Sequence, residues 1–147
     1  MSSSIPAAVA NLQTLLVAAF PAPTTQVWFG KTLSTYVAPL TVQWLGITGD
    51  QQPAELGPNY RREETYSIEM EIVSFAGDQD YVARTNETMT AFNTLSVVVA
   101  NNYTLSNAVR FAEVGTFDLT PEAGDQGQSM ARLAFAVHCS QRINSLT

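Results

Sequence analysis

The chain has 147 residues, of which 46% are hydrophobic and 14% charged, and its formal net charge is -6. A chain of this length and composition can bury a hydrophobic core, and it is too apolar and too poor in charge to be mainly disordered. With Lys31 as its single lysine, it lacks the basic stripe of a duplex-binding domain.

The N-terminal segment is predicted to be an amphipathic helix that ends at Phe20 and Pro21. Apolar residues recur there at spacings of three and four, and Ser4 is in position to cap the first turn. No Lys or Arg precedes the apolar run, so we do not expect a secretory signal. We therefore expect a protein made and kept in a cytoplasm, without a membrane-spanning segment. The apolar stripe consists of Ile5, Val9, Leu12, Leu16 and Ala19.

Two short strands and a long loop are predicted next. The run 26–30 reads QVWFG, and in the run 40–47 Val42 and Trp44 share one face. The stretch Thr48 to Arg62 contains prolines, glycines and polar residues, which predicts a loop. The run 63–75 then alternates apolar and polar residues with a period of two, the clearest strand signal in the chain.

A second helix and two further strands complete the predicted order. Asp78 or Asp80 would cap the helix, whose stripe is Tyr81, Thr85, Met89, Phe92, Leu95 and Val99. The run 105–119 is predicted to be a strand with Val109, Phe111 and Phe117 on one face, and 129–142 the last strand, with a turn-rich connection at 120–128. We expect a single α+β domain over 1–147, with an antiparallel or mixed sheet of four to five strands, two helices on one face and a polar hairpin.

The opposite face of the predicted sheet is small, partly apolar and carries charges of both signs. One interpretation is a solvent-exposed face crossed by a charge ladder, and the other is a contact with another subunit. The low charge of the chain favours the subunit contact. The candidate contact residues are Glu69, Glu71, Arg110, Ala112, Arg132 and Ala134.

No catalytic or metal-binding motif is present in the sequence. His138 is the single histidine, lies within a predicted strand and has no G-x-S-x-G motif nearby. Its neighbour Cys139 would point to the other face of the strand, and one histidine with one cysteine cannot build a zinc site unaided. We therefore expect no enzyme activity, no metal and no cofactor.

The order of elements and several phrases resemble the tail terminator proteins of long-tailed bacteriophages, especially those of actinobacterial phages. These phrases are VWFG in the first strand, RREE at 61–64 before Tyr66, NYTL at 102–105 and the final strand ARLAFAVHCSQRI. The resemblance covers nearly the whole chain. It rests on the order of elements and on these phrases, because the family has no catalytic motif.

The resemblance implies a structural protein at the head-proximal end of a virion tail. Terminators form a six-membered ring that caps the tail tube, stops its growth and docks the head. The implied partners are further copies of the chain, the major tail tube protein and the connector or neck proteins, with genomic DNA passing through the lumen unbound. Asp50, Glu55, Arg61, Arg62, Glu122 and Asp125 lie in the two predicted loops that would contact tube or neck. The acids among them would line the channel, since carboxylates repel phosphate.

Three other functions remain open at the level of sequence. A head-completion protein or a tube subunit would also be a virion component. A small α+β ligand-binding module would need a pocket lined by Trp28, Trp44, Phe92 and Phe111, residues that could equally fill the core. A hydrolase would have to use His138.

Overall fold

The computed structural model describes residues 3–21, 25–29, 40–55, 61–123 and 128–144. Helix α1 begins with Pro6 in its first turn and ends where the chain reaches Phe20 and Pro21. The side chain of Asp80 caps the second helix by accepting a hydrogen bond from the backbone N–H of Ala83 at 3.0 Å. The elements in chain order are α1 (Ile5–Ala19), β1 (Thr25–Phe29), β2 (Leu40–Glu55), β3 (Arg61–Ala76), α2 (Tyr81–Asn101), β4 (Phe111–Ala123) and β5 (Ser129–Asn144).

The five strands form one open sheet in the order β1-β2-β3-β5-β4. The β1–β2 pair is parallel, and the other three pairs are antiparallel. Strands β3 and β5 pair without interruption from Arg61 opposite Asn144 to Ala76 opposite Ser129. Each has 16 residues and so spans about 50 Å. The α+β fold class and the antiparallel pairing of the last two strands are confirmed.

Both helices pack on the same face of the sheet. The predicted apolar side of α1 and the part of the α2 stripe from Met89 to Val99 pack on alternate residues of β3 and β5 in one buried cluster, whereas Tyr81 at the start of α2 is exposed. We call the other side of the sheet the open face. The centre of the cluster is formed by Leu12, Leu16, Val42, Ile68, Met70, Ile72, Leu95, Leu133, Phe135 and Val137.

The predicted loop from Thr48 to Arg62 is wrong for most of its length. Strand β2 continues to Glu55, and β3 already begins at Arg61, so the two form a long hairpin whose residues 56–60 lie outside the described part. Prolines, glycines and polar residues suggested a loop. Pairing with β3 supplies the backbone hydrogen bonds of this segment, and its polar side chains Thr48, Asp50 and Gln51 are exposed.

Strand β4 also begins later than predicted, and its sides are reversed in its first half. Residues 102–108 form turns in which three consecutive residues, Leu105 to Asn107, have positive φ. A bulge between Val114 and Phe117 then shifts the alternation of the strand. As a result Ala112 faces the helices and Phe111 lies on the open face, contrary to the prediction, whereas Phe117 lies on the helix side as expected.

Gly49 allows β2 and β3 to approach each other at the middle of the hairpin. A methyl group at this position would lie 2.6 Å from Cβ of Tyr66 and 3.0 Å from the carbonyl oxygen of Thr65. We expect Gly49→Ala to lower the free energy of unfolding by about 1–3 kcal/mol, because the paired backbone cannot move aside cheaply. Gly46→Ala is the matched control, since nothing lies within 4 Å of a Cβ there. Equal urea midpoints for the two variants would contradict the expectation.

Candidate interaction surfaces

The open face of the sheet is strongly acidic. Its described acids lie on three strands, β2, β3 and β4, whereas its arginines lie on β5, between β3 and β4. Strand pairing therefore places on one face acidic residues that are far apart in the sequence. The acids are Asp50, Glu63, Glu69, Glu71, Glu113, Asp118 and Glu122, and the arginines are Arg132 and Arg142.

Glu71 and Arg132, both predicted to contact another subunit, are bonded to each other inside this one. Arg132 Nη1 lies 2.6 Å from Glu71 Oε1, and Arg132 Nε lies 3.5 Å from Glu122 Oε1. Gln43 on β2 donates a further hydrogen bond to Glu71, whose side chain is buried. Glu71 is therefore compensated within the chain and is not an exposed contact residue.

The other four predicted contact residues do not all lie on the open face. Glu69 and Ala134 lie exposed on the open face. Arg110 precedes β4 and forms an ion pair with Glu63, which also lies 3.4 Å from Arg142 Nε. Ala112 is buried on the helix side, so its assignment to the contact is wrong; the bulge in β4 is the reason. The structure thus brings together four of the six residues on one face.

Five of the six residues predicted to lie in tube- or neck-contacting loops are strand residues. Asp50 and Glu55 belong to β2, Arg61 and Arg62 to β3, and Glu122 to β4, whereas Asp125 lies outside the described residues. Arg62 Nη1 donates a hydrogen bond to Gln51 Oε1 at 3.0 Å. Cross-strand pairing explains the error, because the long ladder extends strand structure through sequence typical of turns.

The two connections nevertheless lie at opposite ends of the sheet. The β2–β3 hairpin closes beyond Glu55 and Arg61, beside the end of β5 at Asn144. The β4–β5 hairpin closes beyond Ala123 and Ser129, beside the end of β3 at Ala76. Since the strands between them have 16 residues, the two ends are about 50 Å apart.

Glu64 forms a buried polar cluster that sequence reasoning missed. Its side chain is 1% exposed and accepts hydrogen bonds from the backbone N–H of Ser4 at 3.0 Å, from Ser4 Oγ at 2.7 Å and from Gln51 Nε2 at 2.6 Å. Burial alone would raise the pKa of Glu64, but hydrogen bonds from Ser3, Ser4 and Gln51 outweigh it and lower the pKa. The carboxylate is thus held at the N-terminus of α1, where the helix dipole favours negative charge. The phrase RREE was noted only as part of a resemblance and carried no sign of this burial.

His138 lies on the open face in a shallow depression of about 510 Å³ that also includes Glu113. Its Nδ1 lies 2.6 Å from Ser67 Oγ, and its ring packs on Gly115 at the bulge of β4, where there is no room for a Cβ. Cys139 points to the other side and is buried, and burial raises the pKa of its thiol to about 12. A thiol with that pKa stays protonated at neutral pH and is not a nucleophile.

A cofactor or metal site is not assembled by the described residues. Among them, no group of three or more His, Cys, Asp or Glu residues could hold a metal ion. No described helix is long and apolar enough to cross a membrane. The aromatic residues of the predicted ligand pocket are separated, since Trp44 and Phe92 pack in the core, Phe111 lies on the open face and the side chain of Trp28 lies outside the described part.

Comparison with known proteins yields a likeness at the level of structure. No protein-family model and no curated protein matches the chain. Among solved structures, the chain is similar to one from the virion of a native gene transfer agent particle, with 12% sequence identity and a TM-score of 0.41. The match covers 99% of this chain and 100% of that one.

Proposed function

We propose that the chain is a structural protein of a phage-type virion, and more closely a tail terminator that forms a ring of about six copies on the head-proximal end of the tail tube. The observation that carries the proposal is the placement of the two hairpins at opposite ends of a sheet about 50 Å long. A ring that joins two structures needs one docking end for each of them, with lateral sides left for its own copies.

The chemistry of the surfaces supports a structural role over catalysis. Ser67 and His138 form a polar pair in an open depression, and the buried thiol of Cys139 is protonated. Acids close to the two hairpins, among them Asp50 and Glu122, would repel phosphate, as suits a channel through which DNA slides without binding. In this proposal the hairpin ends contact the tube protein below and the connector or neck proteins above. No cofactor takes part, and the protein works in the virion after assembly in the host cytoplasm.

The open sheet face was predicted to contact another subunit, and its charges restrict the form that such a contact could take. Two copies facing each other through it would bring Glu69, Glu113 and Asp118 of both together, since these exposed acids have no arginine partner among the described residues. Such a symmetric contact is therefore disfavoured. A ring instead requires a head-to-tail contact between two different surfaces.

Inactivation of the gene in the phage that encodes it tests the proposal. We expect tubes of uncontrolled length without attached heads, seen by electron microscopy, and normal tails when the wild-type protein is supplied in trans. Loss of all tubes would instead indicate a tube subunit, and tails of normal length without heads would indicate a neck protein. Unchanged infectious particles would indicate a function outside the virion.

A further inference from the structure

Half-exposed aromatic side chains lie along the outer edge of the sheet, where Phe111 at the start of β4 borders both the His138 depression of the open face and a second depression beside α2. The side chains of Phe111, Phe117 and Tyr103 are 45%, 49% and 52% exposed. Phe117 packs on Phe92 with ring centroids 5.0 Å apart, and Tyr103 and Phe111 lie 6.4 Å apart. These rings border a depression of about 490 Å³, which we call the edge groove. Large exposed aromatics held in place by packing are typical of protein contacts rather than of solvent-facing surface.

The strand beside this groove is at the edge of the sheet. Among the described strands, β4 pairs with β5 alone, so its other side is open to a further strand. Pro121 and the acids of β4 discourage pairing with an identical β4 edge, but the strand carries no Lys or Arg and so does not repel a neutral strand. The edge therefore offers backbone hydrogen bonds next to apolar pockets, the combination used in strand addition.

We propose that the edge groove receives a second copy of this chain through the opposite edge of its sheet, at β1. The inference rests on the proposed function for the ring, but the contact itself is argued from charge. Strand β4 carries Glu113, Asp118 and Glu122, so two β4 edges would repel each other. Strand β1, which reads TQVWF, has no ionisable residue and lies at the other end of the strand order.

Pairing β4 of one copy with β1 of the next leaves no acid opposite another acid. The contact joins two different edges, so it is head-to-tail and leaves an unused edge on each copy for the next one. A closed ring is the arrangement that occupies every edge. The hairpin ends lie at right angles to this direction, because the strands run along the length of the sheet, and they stay available for other partners.

Sedimentation of the full-length protein over a range of concentrations tests the contact. We expect the wild type to self-associate and both Phe111→Glu and Tyr103→Glu to raise the dissociation constant by about tenfold or more, because each places a carboxylate in an apolar contact. Val82→Glu is the matched control, since Val82 is 71% exposed on α2 and does not border the edge groove. It should associate as the wild type does.

A charge change on β1 tests which edge enters the groove. Gln26→Lys should tighten association and Gln26→Glu should weaken it, because the facing strand is acidic. If neither Gln26 variant changes the dissociation constant while Phe111→Glu weakens association, the role of β1 is overturned. Association that resists both Glu variants at the groove and is lost in Ala134→Glu would place the contact on the open face and overturn the inference.

The failure of this inference can be distinguished from failure of the proposed function. A wild-type protein that stays monomeric at every concentration would overturn the edge contact. The control of tail length in the phage would still decide whether the protein is a terminator.

Discussion

Phe135→Ala is expected to lower the free energy of unfolding by about 3–5 kcal/mol, the range measured when buried phenylalanines are truncated. Phe135 lies at the centre of the sheet, where it faces Met70 on β3 and Phe117 on β4, and its ring meets Phe92 of α2 with centroids 5.4 Å apart. The change would leave a cavity between helix and sheet, since the surrounding backbone is fixed by pairing on both sides. Urea unfolding followed by circular dichroism measures the loss.

Phe111→Ala is the matched control for this prediction. Phe111 is also a phenylalanine of the β4–β5 region, but nearly half of its side chain is exposed on the open face. We expect a smaller loss, of about 1 kcal/mol in the isolated subunit, because nearly half of the side chain is already exposed and its removal leaves no enclosed cavity. Similar decreases in the free energy of unfolding for the two variants would show that the buried cluster between the helices and the sheet is not the main core.

Glu64→Gln is expected to cost about 2 kcal/mol at neutral pH, because hydrogen bonds to an ionised group are stronger than those to a neutral amide. The amide also presents a donor to a site in which Ser4 and Gln51 already donate. Unfolding by urea at pH 7 measures the loss. Glu69→Gln on the exposed side of the same strand is the control, and it should leave the midpoint nearly unchanged.

The same cluster makes the stability depend on pH. The pKa of Glu64 is lower in the folded chain than its unfolded value of 4.5. Its contribution is therefore fully present above pH 4.5 and is lost as the pH falls through the folded pKa. Wild type and Glu64→Gln should accordingly differ most at neutral pH and converge in acid. A constant difference from neutral pH down to strongly acidic pH would show that the charge of Glu64 is not the cause.

The local patterns in the sequence predicted the elements that have strong periodicity. Strand β3 was found from its alternation, and α2 from its stripe and from a cap at Asp78 or Asp80, of which the structure shows Asp80, since both signals lie within a few neighbouring residues. The second half of β2 was missed, because its strand structure depends on a partner and not on its own composition. The bulge of β4 was also missed, and with it the buried position of Ala112.

For the candidate surfaces as well, the sequence predicted the local features and missed those that depend on strand pairing. Sequence indicated a charged second face and grouped Glu69, Arg132 and Ala134 on it, which strand alternation alone determines. It could not show that Glu71 is bonded to Arg132, because that distance depends on the register between β3 and β5. Nor could it show which strands are at the edges, which follows from the order of pairing.

By itself, the sequence determined the class of fold, the helix faces that pack on the sheet, and the lack of a recognisable catalytic motif. These depend on composition and on periodicity over a few turns or residues, which local chain geometry converts directly into structure. The tertiary structure decided that Glu64 is buried under α1, that the two hairpins lie at opposite ends of the sheet, and that β4 is at the edge of the sheet that the described strands form. Each of these depends on which distant segments pair and in what register, and that is set by the packing of the whole chain.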